Sequence, residues 1–205
     1  MSLPRVYGMS SSGNCYKVRL LLEQLQLPYD WIEIDIRSGT TRQAEFLHRN
    51  PNGRVPTLEY QPGQYLAESN AILVYLAEGS RFWPQHRIER AQALQWMFFE
   101  QYSHEPYVAV ARFWKHYVPT LTPLQEMRLP EVMTGGYAAL DVMEKHLAVT
   151  PFFVAGKYGL ADIALYAYTH VADEGGFDLS RYPQINAWLA RVASQPGHVS
   201  IDYKN

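Results

Sequence analysis

The chain has 205 residues, 47% of them hydrophobic, and a formal net charge of -2; it has side chains enough for a substantial core and lacks a disordered composition. With a pI near 6.4 it carries no electrostatic footprint for nucleic acid or an anionic membrane, and its longest apolar runs are too short for a spanning helix. Its one cysteine, Cys15, excludes an internal disulfide framework and fits a reducing compartment; with no basic-then-apolar leader pattern at the start, the expected location is cytoplasmic.

Arg5 to Met9 reads as a strand that ends at the polar cluster Ser10-Ser11-Ser12-Gly13-Asn14. Val18, Leu21, Leu22 and Leu25 then fall on one helical stripe, which Pro28 closes. Ile32 to Ile36 alternates strictly as a half-buried strand, so the opening unit is β-α-β with parallel strands. A short helix is expected over Gln43 to His48, then turn chemistry from Asn50 to Pro56. Thr57 to Tyr60 and Gln64 to Ala67, joined at Pro62-Gly63, form a hairpin. Ser69 is read as the N-cap of a helix that runs to Glu78 and stops at Gly79.

The first domain therefore spans residues 1–79 as βαβ-α-ββα, with a linker over 80–87. From 88 to 205 strand signals vanish and an all-helical domain is expected. Its helices cover Ile88 to Tyr117 with a break or kink at Pro106, Pro123 to His146, Leu160 to Asp173, and a last stripe of Ile185, Trp188, Leu189 and Val192.

This order, together with Asn50-Pro51-Asn52-Gly53-Arg54-Val55-Pro56, the pair Glu68-Ser69, the serine loop and Gly159-Leu160-Ala161-Asp162, resembles the cytosolic glutathione transferase superfamily, of the bacterial, serine-loop type. The resemblance implies a thioredoxin-like domain that binds glutathione and a helical domain that binds a small hydrophobic electrophile. The activity implied is transfer of the glutathione thiol in detoxification, with glutathione as co-substrate and no other cofactor. It further implies a cis Val55–Pro56 bond, with Val55 pairing its backbone to the tripeptide, and Glu68 and Ser69 holding the γ-glutamyl end. Thr41, Arg42 and Arg54 are candidates for its glycine carboxylate. A homodimer is expected.

In serine-type relatives a loop hydroxyl faces the sulfur; the pattern points to Ser12, with Ser11 and Ser10 as close competitors. Cys15 is a further alternative, because some relatives use a loop cysteine to form a mixed disulfide. The electrophile pocket is expected between the domains, with Met9, Tyr107, Phe113 and Trp114 as candidates. Seven histidines lie without metal-ligand spacing, so no metal is implied. Two alternatives stay open: a glutathione-dependent disulfide reductase or peroxidase, and a binding module of this fold without catalysis.

Overall fold

Val6 and Tyr7 send their side chains to opposite faces of the first strand, and that alternation organises the N-terminal half of the chain. The computed structural model describes residues 3–203. They divide into one unit made of the described residues of Met1–Ser80 and Pro196–Asn205, and a second made of Arg81–Gln195.

In the first unit, β1 (Arg5–Gly8), β2 (Asp30–Glu33), β3 (Thr57–Gln61) and β4 (Gln64–Ala67) form a sheet in the order β2-β1-β3-β4. The β1–β2 pair is parallel, and the other two pairs are antiparallel. Val6 and Leu58 face α1 (Gly13–Leu25) and α3 (Ser69–Ala77), where they pack with Val18, Leu22 and Ile72. Tyr7 faces the other way, clustering with Ile34, Val55, Tyr65 and Phe46 of α2 (Ala44–Arg49). Each such fully buried side chain contributes about 1.5–3 kcal/mol, so a one-residue slip of β1 would forfeit both clusters.

In this unit the second strand and the start of α3 differ from the sequence pattern. The alternation Ile32-Ile34-Ile36 places the second strand too late. Asp35 accepts a hydrogen bond from the Arg37 backbone N–H at 2.9 Å and opens a 3-10 turn over Ile36–Ser38, which ends the extended chain first. Ser69 is not the N-cap of α3 but its first helical residue; Glu68 takes the cap position.

The second unit is helical: α4 (Arg87–Phe99), α5 (Glu105–Arg112), α6 (Pro123–Leu147), α7 (Leu160–Thr169) and α8 (Pro183–Ala193). Pro106 does not break the first of these stretches. A π-helical turn over Glu100–His104 precedes it and leads directly into α5, a local widening that accommodates a residue with no N–H to donate. Further on, α7 is shorter than its apolar pattern and gives way to a 3-10 turn at Ala172–Gly175.

Asp162 anchors this unit. Its Oδ1 accepts from the Phe153 N–H at 3.2 Å and from the Trp188 indole at 2.9 Å, and its Oδ2 from the Gly159 N–H at 3.1 Å. The side-chain half of a capping box is missing because position 159 is glycine. A Cβ there would lie 3.1 Å from the Phe82 carbonyl, which itself accepts from the Leu160 N–H at 3.3 Å. A backbone carbonyl thus takes over an orphan donor that a cap residue would leave to solvent. Among the described residues no helix is long and apolar enough to cross a membrane.

The end of the chain corrects the domain reading, which carried the helical domain to residue 205. Residues 196–203 leave the helices and pack on α1 of the first unit, where the Tyr16 hydroxyl donates to the Val199 carbonyl at 2.7 Å.

Candidate functional site

Two helix starts converge in the first unit. α1 begins at Gly13, capped by the Ser12 hydroxyl, which accepts from the Cys15 N–H at 3.4 Å. α3 begins at Ser69, whose hydroxyl donates to Asn14 Oδ1 at 3.2 Å and accepts from Lys17 Nζ at 3.4 Å. Lys17 is fully buried and Ser69 is 5% exposed. Asn14 and Lys17 lie one turn apart on α1, so both reach the start of α3. The start of α3 thus combines backbone N–H groups, the buried Lys17 side chain and the Ser69 hydroxyl, which favour an anion.

The three loop serines have different occupations. Ser10 is held at every polar atom. Its N–H donates to Glu33 Oε1 at 2.9 Å, its hydroxyl to Glu33 Oε2 at 2.6 Å, and its carbonyl accepts from Arg19 at 2.7 Å. A hydroxyl whose only proton sits on a carboxylate cannot also donate to a ligand, so Ser10 anchors the loop. Burial pushes the Glu33 carboxyl up, but the Ser10 donors, the Trp31 indole and Arg19 outweigh it and hold the group below its ordinary range. Ser11 sits half-buried in the turn that the Ser12 N–H closes on the Met9 carbonyl at 2.9 Å. Ser12 uses one acceptor position as a cap, its hydroxyl also lies beside the Cys15 thiol, and no carboxylate holds its proton as Glu33 holds that of Ser10.

Cys15 lies on the inner side of α1 and is fully buried. Burial pushes its thiol up to about 11 despite the nearby Ser12 hydroxyl and Met9 backbone. A thiol so disposed is a core residue rather than a nucleophile.

The loop from Asn50 to Pro56 is built around Asn50. Its amide donates to the Arg54 carbonyl at 2.8 Å, and its Oδ1 accepts from the Asn52 N–H at 3.0 Å. Gly53 has φ +62°, and a Cβ there would meet the Thr41 carbonyl and the Arg42 guanidinium at 2.8 Å. Val55 is half-buried at the entry to β3, with a cis bond to the buried Pro56. Of the three candidates for a distal carboxylate, Thr41 is 4% exposed and too short to reach out. Arg42 donates to the Asn52 carbonyl at 3.1 Å and so braces the loop, while Arg54 is exposed. Glu68 is exposed with φ +69°, a conformation costing a non-glycine residue of order 1–3 kcal/mol and concentrated at ligand-holding positions.

Met9 is buried in the first unit, and in the helical unit the three aromatic candidates separate. Tyr107 packs its ring on Gly135 of α6, where any Cβ would collide with it. Trp114 is buried beneath the Arg128 guanidinium, whereas Phe113 is exposed beside Tyr117. Sequence reasoning missed Asn14, Lys17, Arg19 and Glu33; only the i, i+3 spacing of the first two hinted that they share a target. No group of three or more potential metal ligands occurs among the described residues.

Two family models match the chain: the glutathione S-transferase N-terminal domain over residues 4–78 and the C-terminal domain over residues 96–196. The chain is 30% identical to the disulfide-bond oxidoreductase YfcG of Escherichia coli over 190 residues, covering 89% of this chain and 87% of that one. A crystal structure of a glutathione S-transferase from Pseudomonas fluorescens superposes with a TM-score of 0.95 at 56% identity, over 98% of this chain and 100% of that one. A possible glutathione S-transferase from Rhodopseudomonas palustris gives 0.96 at 52% identity, over 100% and 92%.

Proposed function

The chain belongs to the glutathione S-transferase family, and from that premise we propose that its first unit binds glutathione and activates the thiol for attack on a small apolar electrophile. The observation that carries this reading is the convergence of the α1 and α3 starts on Ser69, with buried Lys17 behind it. The γ-glutamyl carboxylate would take the N–H groups of α3 and the Ser69 proton, which turns to it from Asn14. Glu68 would take the ammonium, Val55 would pair its backbone with the cysteinyl residue, and Arg54 would meet the glycine carboxylate. Such a ligand directs its sulfur to the loop that carries Ser12.

A free thiol titrates near ~8.5, leaving only a few per cent as thiolate at pH 7. The Ser12 proton and the start of α1 stabilise the charged sulfur, so the bound thiol titrates lower. Ser12 keeps its proton throughout and acts as a donor. In the helical unit, Phe113 is the exposed candidate for contact with an apolar electrophile. We further propose a two-fold dimer, which light scattering would detect as twice the chain mass.

The similarity to YfcG favours a second reading, glutathione-dependent disulfide reduction. The same thiolate would attack a disulfide sulfur to give a mixed disulfide and a free thiol, and a second glutathione thiolate would release the other thiol as glutathione disulfide forms. Buried Cys15 has no part in either. Calorimetric titration with glutathione tests the binding: no heat and no thermal shift would leave a non-catalytic module. Turnover of chlorodinitrobenzene supports the transferase; turnover of hydroxyethyl disulfide alone supports the reductase.

A further inference from the structure

After α8 the chain turns at Gly197, with φ +75°, so close to α1 that a Cβ would lie 3.1 Å from the Gln24 Cα. It then crosses α1 and is pinned there by Arg19, which is 3% exposed. One guanidinium nitrogen of Arg19 donates both to the Ile201 carbonyl and to the Ser10 carbonyl at 2.7 Å, and another to the Tyr203 carbonyl at 2.8 Å. The guanidinium lies over the Trp31 ring, 4.9 Å from its centroid, and Trp31 donates to Glu33 at 2.7 Å. Glu33 in turn holds the N–H and hydroxyl of Ser10.

We propose that Arg19 is a positioning residue that makes the C-terminal segment a structural support of the serine loop, so that the alignment of Ser12 depends on the end of the chain. The proposal rests on the reading that the Ser12 hydroxyl stabilises the glutathione thiolate. Its basis is that one nitrogen is shared by two carbonyls of distant origin: Ser10 belongs to the turn that carries Ser12, and Ile201 to the terminal segment. The turn is only four residues long, Met9 to Ser12, closed by one backbone hydrogen bond. A shift of the Ser10 carbonyl therefore reaches Ser12 within two residues. All the acceptors on Arg19 are backbone carbonyls, so the terminal segment acts through its presence rather than its side chains. The three carbonyls are met from two nitrogens held in one rigid plane, a spread that the compact, single-nitrogen ammonium of a lysine does not reproduce.

The test compares the intact chain with a chain ending at Ser200, with Arg19→Lys, with Ser12→Ala, and with the truncation and Ser12→Ala combined. Turnover, the KM for glutathione, and the pKa of the bound thiol from its ultraviolet thiolate band are measured on each. The truncation is expected to lower kcat about tenfold or more, as an ångström-scale misplacement does, and to raise the bound-thiol pKa. Its KM for glutathione is expected to stay within about twofold, since the interactions at Ser69 are untouched. Arg19→Lys is expected to move both readouts the same way by less. The double variant is expected to be no slower than Ser12→Ala alone, because the brace acts through that hydroxyl.

A truncated chain with unaltered kcat and thiol pKa overturns the proposal, as does a further loss in the double variant. Should the truncated chain fail to fold, an Arg19→Lys protein with unaltered thiol pKa overturns it instead. A Ser12→Ala protein with unaltered thiol pKa refutes the reading of Ser12, whereas a perturbed Ser12→Ala beside an unperturbed truncation refutes the brace alone.

Discussion

Replacing Asp162 by alanine removes a fully buried carboxylate that accepts three hydrogen bonds, from Phe153, Gly159 and Trp188. Each abandoned buried donor costs about 1–3 kcal/mol. Water entering the vacated space satisfies part of that demand, so the expected loss is about 3–5 kcal/mol. For a protein of this size that lowers the midpoint of thermal unfolding by roughly 6–20 °C. Urea unfolding followed by tryptophan fluorescence measures the loss directly, because Trp188 is one of the three donors.

The same residue has a pH signature. Burial pushes the Asp162 carboxyl up to about 7, against the pull of its three donors, first among them Trp188. The folded state therefore keeps the proton to higher pH than the unfolded chain, whose aspartate titrates near ~4. This group's stabilisation is complete below that value and is lost as pH rises through about 7. Asp162→Asn removes the slope. A loss under about 1 kcal/mol in Asp162→Ala, well below the cost of even one strong unpaired donor, would refute the view that this carboxylate ties α7, α8 and the preceding loop together.

Other consequences are simpler to read. Cys15→Ala is expected to leave turnover within about twofold of the intact protein, since a thiol pushed up to about 11 by burial supplies no thiolate at neutral pH; loss of activity without loss of stability would restore it as a nucleophile. Ser69→Ala is expected to raise the KM for glutathione about tenfold, the worth of one charge-assisted hydrogen bond, with kcat little changed; a pure kcat effect would move Ser69 into the chemistry. Glu33, held below its ordinary range by the Ser10 donors, Trp31 and Arg19 against the effect of burial, stabilises the fold fully above the unfolded value. That contribution fades as pH falls through the lower folded value. The melting-temperature gap between the intact protein and Glu33→Gln is therefore expected to close on acidification, and a pH-independent gap would contradict this assignment.

The elements that sequence revealed are those in which local chemistry and burial agree. The Val18-Leu21-Leu22-Leu25 stripe lies in α1, where Val18 and Leu22 pack with Val6 and Leu58 of the sheet, and Asn50 braces the loop before β3 with its own side chain. The second strand was misplaced because Ile36 is apolar and in phase, while the signal that ends the strand is the small Asx-type turn at Asp35. The triple serine could not be resolved by spacing. The distinction comes from Glu33 and Arg19, one on another strand and the other nine residues along, and from which hydroxyl already has its proton placed. The terminal segment was least legible, because its contacts are backbone carbonyls meeting side chains more than 180 residues away. No periodicity encodes such a pairing.

The central claim is that a serine hydroxyl at the start of α1 holds a thiolate. Titrating glutathione's sulfur in the protein-bound state, by its ultraviolet absorbance, tests it in one experiment on the intact chain and on Ser12→Ala. The account predicts a pKa clearly below that of free glutathione in the intact protein, returning toward the free value when Ser12 is alanine while the tripeptide still binds. A bound thiol that titrates as it does in solution, or one indifferent to Ser12, would contradict it.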